Sequence, residues 1–199
     1  MLKIALIVGS TRPGRFADIP VKWLLEGAQA RSDFTIDVLD LRDHPLPFYE
    51  EAILPPYNGG AYSNPDAEAW RLKIGEYDAF IATAAEYNHG STAVLKNAMD
   101  SAAFEWHKKP IAFVGYGSVG GARAIEHLRG VSIELHMAPI KPEVNIAMEP
   151  MLGIMRGGKS IDDYPYLADS RTVMFDHLVW WGNALKTARE AELLVGRST

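Results

Sequence analysis

Three segments are apolar almost without interruption: residues 4–8 (Ile-Ala-Leu-Ile-Val), 79–83 (Ala-Phe-Ile-Ala-Thr) and 111–115 (Ile-Ala-Phe-Val-Gly). Continuous apolar runs of this length predict strands covered on both faces, the usual condition inside a parallel sheet. Residues 35–40 (Thr-Ile-Asp-Val-Leu-Asp) alternate instead. Asp37 and Asp40 are unsuited to a two-sided core, so this run predicts an edge strand. A fifth strand is expected around residues 144–147, or from as early as His136.

Helical patterns separate these runs. Residues 18–29 place Ile19, Trp23, Leu24 and Ala28 on one side. Pro20 is tolerated only in a first helical turn, so this helix must start near Ala17 or Asp18. Ala93, Val94, Leu95, Ala98 and Met99 mark a second helix, with Lys96 and Asp100 turned away. A third follows residues 111–115, carrying Ile125 and Leu128 against Arg123, Glu126 and His127; Gly130 kinks or ends it. A last helix runs from about Arg171 to Leu194, with Met174, Leu178, Trp181, Leu185 and Ala188 at three- and four-residue steps. Strands alternating with helices predict an α/β three-layer sandwich. Its five-stranded parallel sheet has right-handed crossovers and the order 2-1-3-4-5. Residues 44–65 and 149–166 read as long loops, which in compact domains carry function or contact a neighbour.

Ligands of such sheets bind outside the carboxyl ends of the strands. Three loops reach that edge. Gly9-Ser10-Thr11-Arg12-Pro13-Gly14-Arg15 offers two hydroxyls, two guanidinium groups and backbone N–H groups near a helix start, a set suited to a phosphate. Gly9 and Gly14 have the spacing of a nucleotide-triphosphatase loop, but Arg15-Phe16 replaces its Lys-Ser/Thr. Thr11 stands where a dinucleotide fingerprint needs its second glycine. A monophosphate held by hydroxyls and arginines fits better. Ala85-Glu86-Tyr87-Asn88-His89-Gly90-Ser91 supplies an aromatic face and polar groups for the edge of a flat ring, and Ser91 or Thr92 caps the next helix. The N-terminus of that helix favours negative charge on a nearby ligand. Gly115-Tyr116-Gly117-Ser118-Val119-Gly120-Gly121 has four glycines in seven residues, which lets backbone approach a ligand closely. Tyr116 adds a second aromatic face.

Composition narrows the options. A formal net charge of -5 argues against a nucleic-acid binder and against a polybasic membrane anchor. No run approaches the roughly 20 apolar residues of a membrane span. The chain has no cysteine, which excludes disulfides, thiolate catalysis and Cys-ligated metals. His107, His127, His136 and His177 do not form metal-ligand spacing with carboxylates, so no metal site is expected. Glu50-Glu51 and Asp162-Asp163 read as solvated loop charges. A soluble cytoplasmic protein is expected.

The chain resembles the NAD(P)H-dependent FMN reductase family of flavodoxin-like proteins. The carrying residues are Gly9-Ser10-Thr11-Arg12 with Gly14-Arg15, and Glu86-Tyr87-Asn88 with Leu95-Lys96-Asn97-Ala98-Met99-Asp100. Tyr116-Gly117 with Gly120-Gly121-Ala122-Arg123-Ala124 completes the set. Residues 41–47, ending in Pro-Leu-Pro, share the likeness, which covers roughly residues 2–146. Ala85 stands where the family usually has proline. Residues 1–199 are expected to form one flavodoxin-like FMN-binding domain, with a C-terminal helical extension from about residue 166 that the resemblance does not cover. The resemblance implies that Ser10, Arg12 and Arg15 hold the FMN phosphate. Glu86, Tyr87, Asn88 and His89 would line the isoalloxazine, and Gly117, Ser118 and Gly121 would approach its other edge. NADPH or NADH would be the co-substrate, passing hydride to the flavin, and a small-molecule acceptor (free flavin, a quinone or similar) would then use the same face.

The flavin carries the chemistry in such enzymes, so no catalytic acid or base is named; His89 is the nearest candidate proton donor. The resemblance also implies a homodimer or homotetramer. Trp180-Trp181 suits this, with one ring in the core and one at an interface, and residues 55–62 would wall a neighbouring site. A non-enzymatic flavodoxin-type electron carrier and a flavin-free nicotinamide dehydrogenase remain as rivals, and a quinone or azo-dye reductase differs only in its acceptor.

Overall fold

The computed structural model describes residues 1–195. Strand β1 (Leu2–Val8) lies between β2 (Phe34–Asp40) and β3 (Ala79–Ala85), both parallel to it. β3 pairs parallel with β4 (Pro110–Tyr116). The last position is shared by β5 (Ala138–Pro139), beside the start of β4, and β6 (Val144–Ile146), beside its end. The order 2-1-3-4-5 expected from the edge character of residues 35–40 is therefore present. The single fifth strand is not: Pro139 and Pro142 lack the N–H that a ladder needs, and pairing stops and resumes around them.

Helices cover both faces of the sheet. Leu2, Ile4, Leu6 and Val8 of β1 enter a core shared with α1 (Asp18–Gln29) and α6 (Pro165–Val195). Ala5 and Ile7 enter a second core with α2 (Pro65–Gly75), α3 (Ala93–Asp100) and α4 (Ala122–Glu134). This two-sided burial is why the sequence of β1 shows no alternation. Pro20 sits in the first turn of α1, as its missing N–H requires. α4 runs through Gly130 to Glu134.

Two helices escape the hydrophobic pattern. α2 begins at an Asn64 side chain that accepts N–H bonds from Asp66 and Ala67, with Pro65 as its first residue. That Asn-Pro start, followed by buried Trp70 and Ile74, was a legible signal. α5 (Met148–Arg156) occupies much of the stretch expected to be loop at 149–166. Pro150 falls in its first turn, where proline is tolerated, and the Tyr164 ring occupies the space a side chain on Gly153 would need. α6 starts at Pro165, earlier than the Arg171 suggested by periodicity.

The stretch 44–65 is long but fastened. The Asn97 amide donates to the Pro47 carbonyl at 2.7 Å and accepts from the Tyr49 N–H at 3.1 Å. The acidic pairs are less free than expected. Glu51 accepts from the Ser63 N–H at 3.0 Å, and Asp162 accepts from Trp23 Nε1 at 2.9 Å. Neither tryptophan of α6 enters the core: Trp180 is 65% exposed and Trp181 38% exposed, the two rings meeting edge to face.

Candidate functional site

The carboxyl end of β1 meets β3 and the start of α3 at Gly9. Its N–H donates to Thr83 Oγ1 at 2.9 Å, and its carbonyl accepts from the Thr92 hydroxyl. A Cβ at Gly9 would lie 2.2 Å from the Thr83 carbonyl oxygen, so only glycine allows β1 to pass β3 this closely. Thr92 also caps α3, accepting from the Leu95 N–H at 3.2 Å. The first loop is thus pinned to the base of the second.

Ser10 is buried, and its hydroxyl lies 3.2 Å from the Tyr87 hydroxyl of the neighbouring loop. Beyond it the two arginines part company. Arg15 is buried and fully engaged: Nη1 donates to Asp40 Oδ1 and to the Ser10 carbonyl, each at 2.6 Å, and Nε donates to Asp18 Oδ1 at 2.7 Å. Its remaining nitrogen completes a bidentate pair with Asp40. Hydrogen bonding to Asp40 outweighs burial and holds Arg15 firmly protonated, while Arg15 holds the Asp40 carboxyl below the usual range. Arg15 therefore braces the loop and leaves little of its fork for a ligand. Arg12 is exposed, and its guanidinium has no partner among the described residues. The N–H groups of Thr11, Arg12 and Gly14 likewise find no acceptor among the described residues, and α1, with Ala17 at its N-cap, has no side-chain cap. Free amides, an open helix start and one free cation make an anion site.

The second loop is a tight turn. Tyr87 and Gly90 exchange backbone hydrogen bonds of 2.9 and 3.0 Å, and both central residues have positive φ, 49° for Asn88 and 71° for His89. This is a type I′ geometry, unusual for a histidine, and non-glycine residues held there store strain at functional sites. Glu86 lies beneath the turn, with its side chain only 4% exposed. Burial raises its carboxyl, but Arg123 overcomes that and holds it below the usual range. Arg123 donates to Glu86 through Nε at 2.6 Å and through its backbone N–H at 3.2 Å. It also reaches Ser118 Oγ at 3.3 Å and His89 Nε2 at 2.8 Å. A guanidinium only donates, so His89 Nε2 accepts and the ring hydrogen is left on Nδ1.

In the third loop Gly121 opens α4 in the left-handed region, where a Cβ would lie 2.7 Å from Gly115 Cα and Tyr116 N. It is buried against β4 and shapes the loop from beneath. Gly117 faces the ligand side, where a Cβ would come 3.1 Å from Glu86 Cβ. Tyr116 presents no open aromatic face; it is buried and packs on Phe16 with ring centroids 5.3 Å apart.

Ser10, Arg12, Arg15, Glu86, Tyr87 and Gly117 line one cleft of about 260 Å³. Asn88, His89 and Ser118 stand on the two turns that continue from it. Tyr116, expected as an aromatic face, forms part of its floor, and the cleft also takes in residues the sequence reading missed: Phe16 beside Tyr116, and Met151 and Met155 from α5. Arg123 and Asp40 act from behind it. The hidden α5 left no signal for the methionines. The buried Tyr116 hydroxyl has no hydrogen-bond partner among the described residues. An unpaired buried phenol costs about 1–3 kcal/mol unless a ligand accepts from it. Free amides, a free guanidinium, an unpaired hydroxyl and a glycine approach fit a phosphate-bearing cofactor with a flat ring.

A model of the NADPH-dependent FMN reductase family matches residues 2–150. The chain belongs to this family. The match ends inside α5, so the family shares the three loops, while Met151 and Met155 lie beyond it. An NAD(P)H-dependent FMN reductase of Schizosaccharomyces pombe is 32% identical over 152 residues, 75% of this chain and 76% of that one. A 2-hydroxy-1,4-benzoquinone reductase of a Burkholderia species is 34% identical over 154 residues, 73% of this chain and 78% of that one. Among solved structures, the flavoenzyme NAD(P)H:(acceptor) oxidoreductase FerB of Paracoccus denitrificans has the same fold. Its TM-score is 0.69 at 22% identity, covering 92% of this chain and 98% of that one.

Proposed function

We propose that this chain is an FMN-binding, NAD(P)H-dependent oxidoreductase that reduces a small-molecule acceptor, a flavin or a quinone. The carrying observation is that the three loop motifs of an FMN reductase line a single cleft, with the free cation Arg12 and the unpaired amides at its phosphate end. Names of the similar proteins support the acceptor class, one being an FMN reductase and another a benzoquinone reductase.

FMN, when bound, would take hydride from the nicotinamide and deliver electrons to the acceptor. The residues bind and orient. Ser10, Arg12 and the loop amides hold the phosphate, and Arg15 keeps the loop in shape. The strained Tyr87–Gly90 turn presents Asn88 and His89 to the ring, while Gly117 and Ser118 meet its other edge. Gly121 and Arg123 fix that edge to α4. No side chain needs to move a proton to the substrate, and His89, though exposed, is held by Arg123 through Nε2.

A homo-oligomer fits the surface. Phe48 and Tyr57 on the long 44–65 segment are about four-fifths exposed, and Trp180 stands out from α6. Exposed aromatics on this scale favour burial against a second copy; light scattering giving the mass of one chain would remove this part. A cytoplasmic location accords with a described chain in which no helix is long and apolar enough to cross a membrane.

The test is an absorbance spectrum of purified protein with FMN, before and after anaerobic NADPH and then NADH. A bound flavin that bleaches supports the reductase, and the faster donor gives the preference. Bound flavin that stays yellow with both supports an electron carrier instead. Absence of both binding and turnover with free FMN sinks the proposal.

A further inference from the structure

We infer that Asp40, at the end of edge strand β2, is a positioning residue for the FMN phosphate, acting through Arg15 and Arg42. The inference rests on the FMN-binding reading above.

Three successive carbonyls of the first loop are held from behind by guanidinium groups. Arg15 Nη1 takes the Ser10 carbonyl at 2.6 Å. Arg42 Nε takes the Thr11 carbonyl at 3.5 Å, and its Nη2 takes the Arg12 carbonyl. A trans peptide points its C=O and the next N–H in opposite directions. Carbonyls tied back toward β2 therefore aim the N–H groups of Thr11 and Arg12 away from it, and those N–H groups have no acceptor among the described residues. Both arginines converge on one carboxylate. Asp40 accepts both ends of the Arg15 fork, and its Oδ1 accepts the Arg42 backbone N–H at 3.0 Å. Asp40 is itself only 20% exposed at its side chain, against 5% for Arg15. The carboxylate thus fixes the Arg15 fork and the backbone of Arg42, the two guanidinium groups fix the carbonyls, and the peptide planes present the amides.

Asp40 also removes a competing charge. With Arg15 neutralised, Arg12 is left as the exposed, unpaired cation of the loop among the described residues. This explains why the edge strand ends on an acid: the side chain that cannot enter a two-sided core faces the loop instead.

The experiment compares FMN with riboflavin, which has the same ring and no phosphate, by fluorescence titration of apo-protein. Wild type should bind FMN more tightly than riboflavin. Asp40→Asn should cut that preference about tenfold, the scale of one lost charge-assisted hydrogen bond, with riboflavin affinity unchanged. Asp40→Glu should restore part of it. Equal loss for both flavins, or an unchanged ratio with a lower Tm, would show a merely structural role and overturn the inference. If Asp40→Asn does not fold, Arg15→Lys, which keeps the charge and loses the fork, decides by the same ratio. A wild type with no preference for FMN would instead defeat the FMN-binding reading, and this inference with it.

Discussion

Arg123, on the first turn of α4, closes on Glu86 at the end of β3 through both its guanidinium and its backbone N–H. One ion pair thereby sets the spacing between the two loops expected to grip the flavin ring. It also orients His89 and Ser118, which bond the same guanidinium.

Glu86→Gln should loosen that spacing. The amide keeps the shape, loses the charge and leaves Arg123 without its counterion. Urea denaturation should show a loss of about 1–3 kcal/mol, and FMN and riboflavin affinity should fall together, because the ring pocket rather than the phosphate site is disturbed. Unchanged stability and affinity would mean that the pair is dispensable.

Arg12→Ala should separate binding from folding. The side chain is exposed and unpaired, so Tm should not change. FMN should bind about tenfold more weakly, or worse, and its affinity should become less sensitive to salt, as expected when an exposed charge–phosphate contact is lost. A normal FMN affinity would place the phosphate elsewhere.

Tyr116→Phe should have opposite effects with and without cofactor. The variant removes an unpaired buried hydroxyl, so apo-protein stability should stay level or rise by up to about 1 kcal/mol. If the hydroxyl donates to the cofactor, FMN affinity should drop severalfold. Thermal melts of apo and FMN-loaded protein, run side by side, read both signs.

Acid should destabilise the fold in two stages. Burial, aided by the stacked ring of His136, lowers the His107 pKa. A base depressed on folding favours the folded state above its ordinary value and begins to cost stability as pH falls through about 6.5. Asp40 and Glu86 are held low by Arg15 and Arg123. Their contribution is complete above the ordinary carboxylate values of roughly 4 and is lost as pH falls through the folded ones. A stability profile should slope gently below about pH 6.5 and steeply below about pH 4, and His107→Gln should remove the first slope only.

Much of the site was legible because its residue types are matched to chemistry at a fixed place in the fold. The apolar runs of β1, β3 and β4 carry no alternation since each is buried on both faces, and that alone placed their following loops at one edge. Ser10, Arg12, Glu86, Tyr87 and Gly117 follow from those positions. Arg15 shows where such reasoning stops. In sequence it is a second phosphate-seeking arginine; in space Asp40, 25 residues away, claims its fork. Tyr116 reads as an aromatic surface and proves to be a buried floor with a free hydroxyl. The Asn64-Pro65 start of α2 was legible in the sequence, whereas α5 was hidden because it carries Pro150 in its first turn and Gly153 inside it, where the Tyr164 ring takes the space of a side chain.

The sequence by itself determined the sheet, its order, the three loops at its carboxyl edge and the likeness to FMN reductases, because these depend on local periodicity and short motifs. The tertiary structure alone decided which charges remain free, since pairing depends on partners brought together from distant strands. It set Arg12 apart from Arg15, joined Arg123 to Glu86 and brought the methionines of α5 to the cleft.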